Sequence, residues 1–288
     1  MTTALDRVVS LLDLEQIEQD MFRGRSPQGE GRQRVFGGQV AGQALVAAGR
    51  TVPAERPVHS LHAYFIRPGD TSVPLIYTVE RLRDGRSFTT RRVTAIQHGN
   101  AIFTLSASFH AREPGFEHAD TMPDVPDPEQ LESEADRLRR LSLVPDEFAR
   151  DSPIDLRPVG PLPLEAERDR SLITSRNMVW LKADGDLPDD PLLHVCLMTY
   201  ASDMTLLDSV LLANGLSWAD GKTVGSSLDH AMWFHRPFRA DRWLLYAQDS
   251  PTASDARGLA RGEVYTQDGK LVVSVVQEGL LRPRVSAG

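Results

Sequence analysis

Three polar residues in the C-terminal half of the chain could together hold and activate a water. Asp203 stands in "DMTLLDSVLL", Ser227 in "SSLDHAMWFHRP" and Gln277 in "LVVSVVQEGLL". A carboxylate, a hydroxyl and an amide can accept a proton from one water and fix its remaining lone pairs and hydrogens. That inventory suits direct hydrolysis of an activated acyl group, with the Asp polarising the water and no covalent nucleophile. If Asp203 opens a helix, the free backbone N–H groups of that first turn stand ready for a developing oxyanion. Each residue also has an ordinary reading. Asp203 could be an N-cap or first-turn acid. Against this, Ser202 can cap instead, and Asp203 shares the helical stripe of Leu207 and Val210, where an unpaired acid costs free energy. Ser227 could be a strand-start hydroxyl, with Ser226 beside it. Gln277 falls on the same side of its strand as Val273 and Val275, where a valine would pack better. It could be an edge-strand polar or a buried amide bonded to backbone.

Rival chemistries lack their signatures. "GLSWADGKT" (215–223) has five residues between Gly215 and Gly221 where a phosphate loop needs four, and it follows a helical run instead of a strand. No G-x-S-x-G nucleophile elbow occurs. His59 and His62 fall on opposite faces of a strand and make a poor metal pair. With no H-E-x-x-H and no paired C-x-x-C, neither a metal nor another cofactor is expected. Cys196 in "LLHVCLMTY" reads as a small core residue.

The elements that must position these residues come twice. "AYFIRPGD" (63–70) and "MWFHRPFR" (232–239) share an aromatic–Phe–x–Arg–Pro core, with Arg67 and Arg236 separated by 236 − 67 = 169. "QHGNAIFTLSA" (97–107) matches "QDGKLVVSVVQ" (267–277), with 269 − 99 = 170. Two matches in one order at nearly one offset indicate a duplicated unit. Each copy opens on a helix, predicted at 37–52 in the first and 203–216 in the second. Strands follow, predicted in the first copy near 58–67, 74–83, 87–97 and 100–110. In the second copy, Ser227, Asp229, Ala231 and Trp233 alternate to one face and Leu228, His230, Met232 and Phe234 to the other. "HGN" and "DGK" are tight-turn sequences between the last two strands of each copy. A helix followed by an antiparallel meander implies an α+β fold in which each sheet wraps a helix. Residues 111–150, rich in acid and proline, read as a partly mobile connector.

The chain has 288 residues, 25% charged and 41% hydrophobic, an ordinary globular composition. Its net charge of −8 argues against a nucleic-acid partner. One cysteine permits no intrachain disulfide and fits a reducing compartment. The N-terminal "MTTALDRVVSLLDLEQIEQD" is not patterned as a secretory signal, no apolar run reaches the roughly 18 residues of a membrane span, and the C-terminal "VSAG" matches no peroxisomal or ER-retention signal. A cytoplasmic location is expected.

"GGQVAGQAL", "SLHAYFIRPGD", "LDHAMWFHRPFRAD" and "VVQEGLLR", in that order, closely resemble the acyl-CoA thioesterase II family over about residues 10–283. The resemblance implies a double hotdog fold: two tandem antiparallel sheets, each wrapped around a central helix. It places an N-terminal hotdog unit at 1–112, an acidic connector at 113–150 and a C-terminal hotdog unit at 151–288 that carries the catalytic triad. Carried over, the family's water-orienting Asp, Thr or Ser, and Gln fall on Asp203, Ser227 and Gln277. Ser stands at the middle position where the bacterial enzymes carry Thr; it keeps the hydroxyl and loses the methyl that restricts the rotamer. The implied substrates are fatty acyl-CoA thioesters, and the implied assembly is a homodimer or homotetramer. Arg67, Arg91, Arg92 and Arg236 are candidates for the CoA phosphates. Gly37, Gly38 and Gln39 resemble the oxyanion end of the helix in simpler hotdog enzymes, though close helix packing explains them equally well. Two other functions remain open. A hotdog hydratase or dehydratase would need a His shortly after the Asp, and "MTLLDSVLLANG" has none. An acyl-CoA-binding protein with little turnover would not need Asp203 and Gln277.

Overall fold

In chain order the first half runs α1 (Ala4–Leu12), β1 (Glu15–Glu18), β2 (Met21–Gly24), α2 (Gly37–Gly49), β3 (Val58–Phe65), β4 (Leu75–Asp84), β5 (Phe88–Gln97) and β6 (Asn100–His110). A connection bearing α3 (Glu134–Arg140) leads to the second half. There follow β7 (Ile154–Pro158), α4 (Pro163–Arg168), β8 (Arg176–Ala183), α5 (Pro191–Thr205), α6 (Asp208–Asn214), β9 (Thr223–Ser227), β10 (Asp229–Phe234), β11 (Leu244–Ser254), β12 (Arg257–Thr266) and β13 (Leu271–Pro283). The structure, a computed structural model, describes residues 2–27, 34–142, 152–219, 221 and 223–284.

Each half wraps an antiparallel meander around one central helix, α2 in the first and α5 in the second, as the repeat predicts. The first-copy strands fall within a few residues of their predicted positions. Positive-φ glycines, Gly99 and Gly269, make both predicted turns. The two expected sheets are not separate. β3 pairs antiparallel with β10, Ala63 opposite His230 and Leu61 opposite Met232, so the strands run on as one sheet. One apolar core accordingly spans both halves, from Leu45, Leu61 and Phe103 to Met198, Val264 and Val275. Each such side chain, fully buried, contributes roughly 1.5–3 kcal/mol.

The second central helix differs from its prediction. The sequence places it at 203–216, opening on Asp203. It instead runs from Pro191 to Thr205, capped by Asp190, whose carboxylate accepts from the Leu192 N–H at 3.0 Å. The predicted segment contributes only the tail of α5 and the short α6. The apolar "LLHVCLMTY" lacks amphipathic contrast because it is enclosed on nearly all sides, which hides helical period. Cys196 is fully buried there, and burial pushes its thiol well above the usual range. By length and composition alone Pro191–Asn214 could cross a membrane, but 67% of its most apolar stretch is buried in this core, as in the core helix of a globular fold.

α2 and α5 pack against each other at very short range. A Cβ on Gly38 would sit 2.3 Å from the Tyr200 carbonyl oxygen, and one on Gly42 would sit 3.1 Å from that of Cys196. Nearly all of α2 is buried, including Ala44, Leu45, Ala47 and Ala48. Small residues therefore set the distance between the halves.

The connector, expected to be partly mobile, is exposed over residues 112–121 and packs onto the second half from Met122 to Leu131. Met122, Val125 and Leu131 cover a ladder of Trp180, Trp243, Leu245 and Tyr265. The Trp180 indole donates to the Pro126 carbonyl at 3.0 Å, and that of Trp243 to Glu129 at 2.7 Å. Residues 143–150 of the expected connector lie outside the described residues.

Gly38→Ala should destabilise the protein by about 1–3 kcal/mol, because its methyl meets backbone that cannot rotate away. Denaturant unfolding of the variant beside wild type measures this; an unchanged midpoint would mean that the helix pair has slack.

Candidate active site

Asp203 lies in the last turn of α5, not at a helix start, so neither the N-cap role nor the oxyanion role of its own helix holds. An acid at a helix C-terminus faces the negative end of the macrodipole and is disfavoured there. A helix N-terminus is nevertheless present, and it comes from the other half. The antiparallel packing of α2 on α5 sets Gly37 against Asp203, where an added Cβ would stand 2.6 Å from Oδ2. Only glycine fits there. The Val40 N–H already bonds to the Phe36 carbonyl, which leaves the N–H groups ahead of it in the turn as the free donors of α2. Gln39 serves structure instead: its amide donates to the Arg25 carbonyl at 2.9 Å.

Ser227 and Gln277 reach Asp203 from neighbouring strands. Ser227 Oγ–H donates to Asp203 Oδ1 at 3.0 Å, and Gln277 Nε2–H donates to the same oxygen at 2.7 Å. The three residues named from sequence therefore meet in one cluster. Gln277 is fully buried beside Val273 and Val275, as its strand parity predicts. Ser227 required a correction of face. Strict alternation opposes it to His230, but the strand breaks at Leu228. Below the break Ala231 pairs with Val276; above it Ser227 pairs with Gly279, one residue out of step. This bulge turns Ser227 to the inner face, alongside His230 and Gln277. Ser226 stays exposed and is not the hydroxyl on Asp203.

His230 is a member of the cluster that the sequence reading missed. It is buried, and desolvation chiefly lowers its pKa, so the ring is neutral. Its Nε2 lies 2.9 Å from Ser202 Oγ. His230 Nδ1 and Gln277 Oε1 are both buried without a partner, and the two side chains interact. The Ser202 hydroxyl donates to the Thr199 carbonyl at 3.0 Å and so can accept from His230 Nε2–H, while Gln277 Nε2–H is held by Asp203. The signal for this was the His of "LDHAMWF", concealed by the bulge.

The cluster opens into a cavity of about 560 Å³, within the range of small-molecule sites. Val40, Phe65, Met204 and Leu207 supply apolar wall, and the exposed Arg34 and Arg67 line it as well. Of the four arginines considered for CoA, Arg67 alone belongs to this cavity. Arg91 is buried on Asp84 and Thr51, Arg92 pairs with Glu80 at the surface, and Arg236 bonds to the Leu271 carbonyl. Asp208 also lines the cavity. Burial, with repulsion from Glu134 added, pushes its carboxyl up to about 8, against a donated bond from the Trp218 indole. No cluster of three or more metal-ligating side chains occurs among the described residues.

Comparison with known proteins bears on the family and the fold. Residues 167–280 match the family model for acyl-CoA thioesterase, and 25–110 match the model for the acyl-CoA thioesterase N-terminal domain. The chain is 42% identical to acyl-coenzyme A thioesterase 8 of Rattus norvegicus, with 97% of this chain and 90% of the relative covered. It is 39% identical to acyl-CoA thioesterase 2 of Haemophilus influenzae, covering 98% and 99%. The crystal structure of an acyl-CoA thioesterase II from Mycobacterium marinum superposes with a TM-score of 0.79 at 44% identity, over 96% of this chain and 98% of that one. A hot dog protein of Alicyclobacillus acidocaldarius, 20% identical with a TM-score of 0.78 over 97% of this chain and 99% of that one, shares the fold. Fold and relatives together define a double-hotdog thioester hydrolase. More narrowly, this chain belongs to the acyl-CoA thioesterase family, among the thioesterases II.

The Asp208 carboxyl, raised in the folded protein above its unfolded value, is a penalty on folding absent below about pH 4 and fully present above about pH 8. Asp208→Asn should therefore gain stability over wild type as pH rises through that window, with the two converging in acid. Melting temperatures from pH 4 to 9 check this; parallel curves would refute the raised pKa.

Proposed function

We propose that this chain hydrolyses fatty acyl-CoA thioesters to free fatty acid and CoA by direct attack of a water oriented by Asp203, Ser227 and Gln277. The observation that carries the reading is the convergence of Ser227 and Gln277 on one oxygen of Asp203. Their bonds fix the carboxylate and leave its Oδ2 on the side of Gly37. On this reading Asp203 takes a proton as the water oxygen bonds to the thioester carbonyl carbon. The first turn of α2 stabilises the oxyanion. Collapse breaks the carbon–sulfur bond, and the proton passes to the departing thiolate. The apolar wall receives the acyl chain, each methylene contributing roughly 0.8 kcal/mol. Arg34 and Arg67 supply positive charge for the CoA phosphates. The N-terminal unit of 1–112 thus lends the helix N-terminus and the C-terminal unit of 151–288 lends the water-orienting residues, with 113–150 as connector. The chain acts in the cytoplasm, as a homodimer or homotetramer.

Release of free thiol from acyl-CoAs of increasing length, acetyl to palmitoyl, tests the reading. Asp203→Asn should lower kcat by roughly 10²–10⁴ while stability holds or rises, because a carboxylate at a helix C-terminus is itself a cost. Gln277→Ala should also collapse turnover. A large loss of stability with modest kinetic change would make Asp203 structural. Binding without turnover at every length would favour an acyl-CoA-binding protein.

A further inference from the structure

The duplication that built the candidate active site built a second cavity at the opposite end of the helix pair. Phe65, Arg67 and Pro68 line the first cavity. Their counterparts 169 residues on (236 − 67 = 169), Phe234, Arg236 and Pro237, line the second. Gly37 faces Asp203 at one end of the helix pair, and Gly49 packs against Leu192 at the other. The second cavity encloses about 640 Å³ between the C-terminal end of α2 and the N-terminal end of α5. It has none of the hydrolytic groups. By the strand offsets Ser227 corresponds to Val58 (227 − 169 = 58) and Gln277 to Ala107 (277 − 170 = 107), both buried.

The second cavity is not purely apolar. His194, on the first turn of α5, lines it and is only 2% exposed. The Ala240 N–H donates to His194 Nδ1 at 3.1 Å, which places the ring hydrogen on Nε2. Burial keeps the ring neutral. His194 Nε2–H is nevertheless buried with no acceptor, a state that costs free energy unless a ligand oxygen completes it. Charge favours an anionic ligand. Arg56, Arg112, Arg236 and Arg239 line the cavity against Asp189 and Asp190. Asp189 is bound to Arg239, and Asp190 is engaged in capping α5. Arg112 is exposed and has no ion-pair partner among the described residues.

We propose that this second cavity binds a fatty carboxylate without hydrolysing anything, its chain in the apolar space, its carboxylate accepting from His194 Nε2–H, and Arg112 supplying counter-charge, since Arg236 is held by the Leu271 carbonyl and Glu117. The site rests on the hydrolytic reading only for its choice of ligand, since a fatty acid is that reaction's product.

Equilibrium dialysis of the full chain against labelled dodecanoate tests it, with a non-hydrolysable dodecyl-CoA thioether in a parallel arm. Ala54, exposed and lining the cavity, provides a blocking substitution. Ala54→Trp should abolish one equivalent of bound dodecanoate while thioester turnover stays within about twofold, the two ends of the helix pair being independent. His194→Phe should weaken that same equivalent by roughly tenfold or more. Each added methylene should tighten it by up to about fourfold. Binding that neither variant changes, or no binding at all, overturns the proposal. An equivalent seen only with the thioether overturns the carboxylate and assigns the cavity to CoA conjugates. Absence of turnover in wild type, with the Ala54-sensitive equivalent intact, would sink the hydrolytic reading and leave this site standing.

Discussion

The approach of α2 to α5 is the constraint on which the rest of the structure depends. Two buried helices can lie this close only where one presents hydrogen atoms to the other's carbonyl groups, as Gly38 and Gly42 do to Tyr200 and Cys196. The antiparallel run then decides which ends meet. It brings the N-terminus of the first central helix to the last turn of the second, so Gly37 lies on Asp203. A carboxylate set against its own helix dipole gains the positive end of the neighbouring one. Neither half contains this arrangement alone.

The sheet makes the complementary contribution. β3 and β10 close the two halves edge to edge, which satisfies the backbone groups of both edges and continues one core across the boundary. On one side of that seam the pairing slips by a residue at Leu228. The slip costs ladder regularity and places a hydroxyl on the inner face with His230 and Gln277. Polar side chains inside a sheet are expensive unless each finds a partner. Here Ser227 and Gln277 donate to one carboxylate oxygen, and His230 Nε2 is paired with the Ser202 hydroxyl.

Duplication supplied two ends with the same framework, and the sequence treats them differently. Both retain the Phe–x–Arg–Pro wall. One end carries Ser and Gln on its strands, beside Asp203, and the other carries Val58 and Ala107 at the corresponding strand positions. Apolar residues at those positions carry no desolvation cost. His194 is the exception, a donor kept inside that space.

Much of this was legible in the amino-acid order. The repeat, the first-copy strands with their glycine turns, and the parity that puts Gln277 among inward valines all follow from period-two alternation and local turn chemistry, which are properties of short segments. The three polar residues were likewise nameable, because a buried amide or acid on an apolar stripe is conspicuous. Other features depended on tertiary structure. α5 was misplaced because a helix enclosed on all sides shows no amphipathic period. The face of Ser227 was misread because a single-residue bulge leaves no compositional mark. Two helix starts were candidates to stand beside the cluster, one opening on Asp203 and one at Gly37–Gln39; which of them meets Asp203 depends on the packing of residues more than 150 positions apart (203 − 37 = 166). Sequence determined which groups were available and on which face most of them lie. Only the packing of one repeat against the other decided what they face, because that depends on the distance between two backbones.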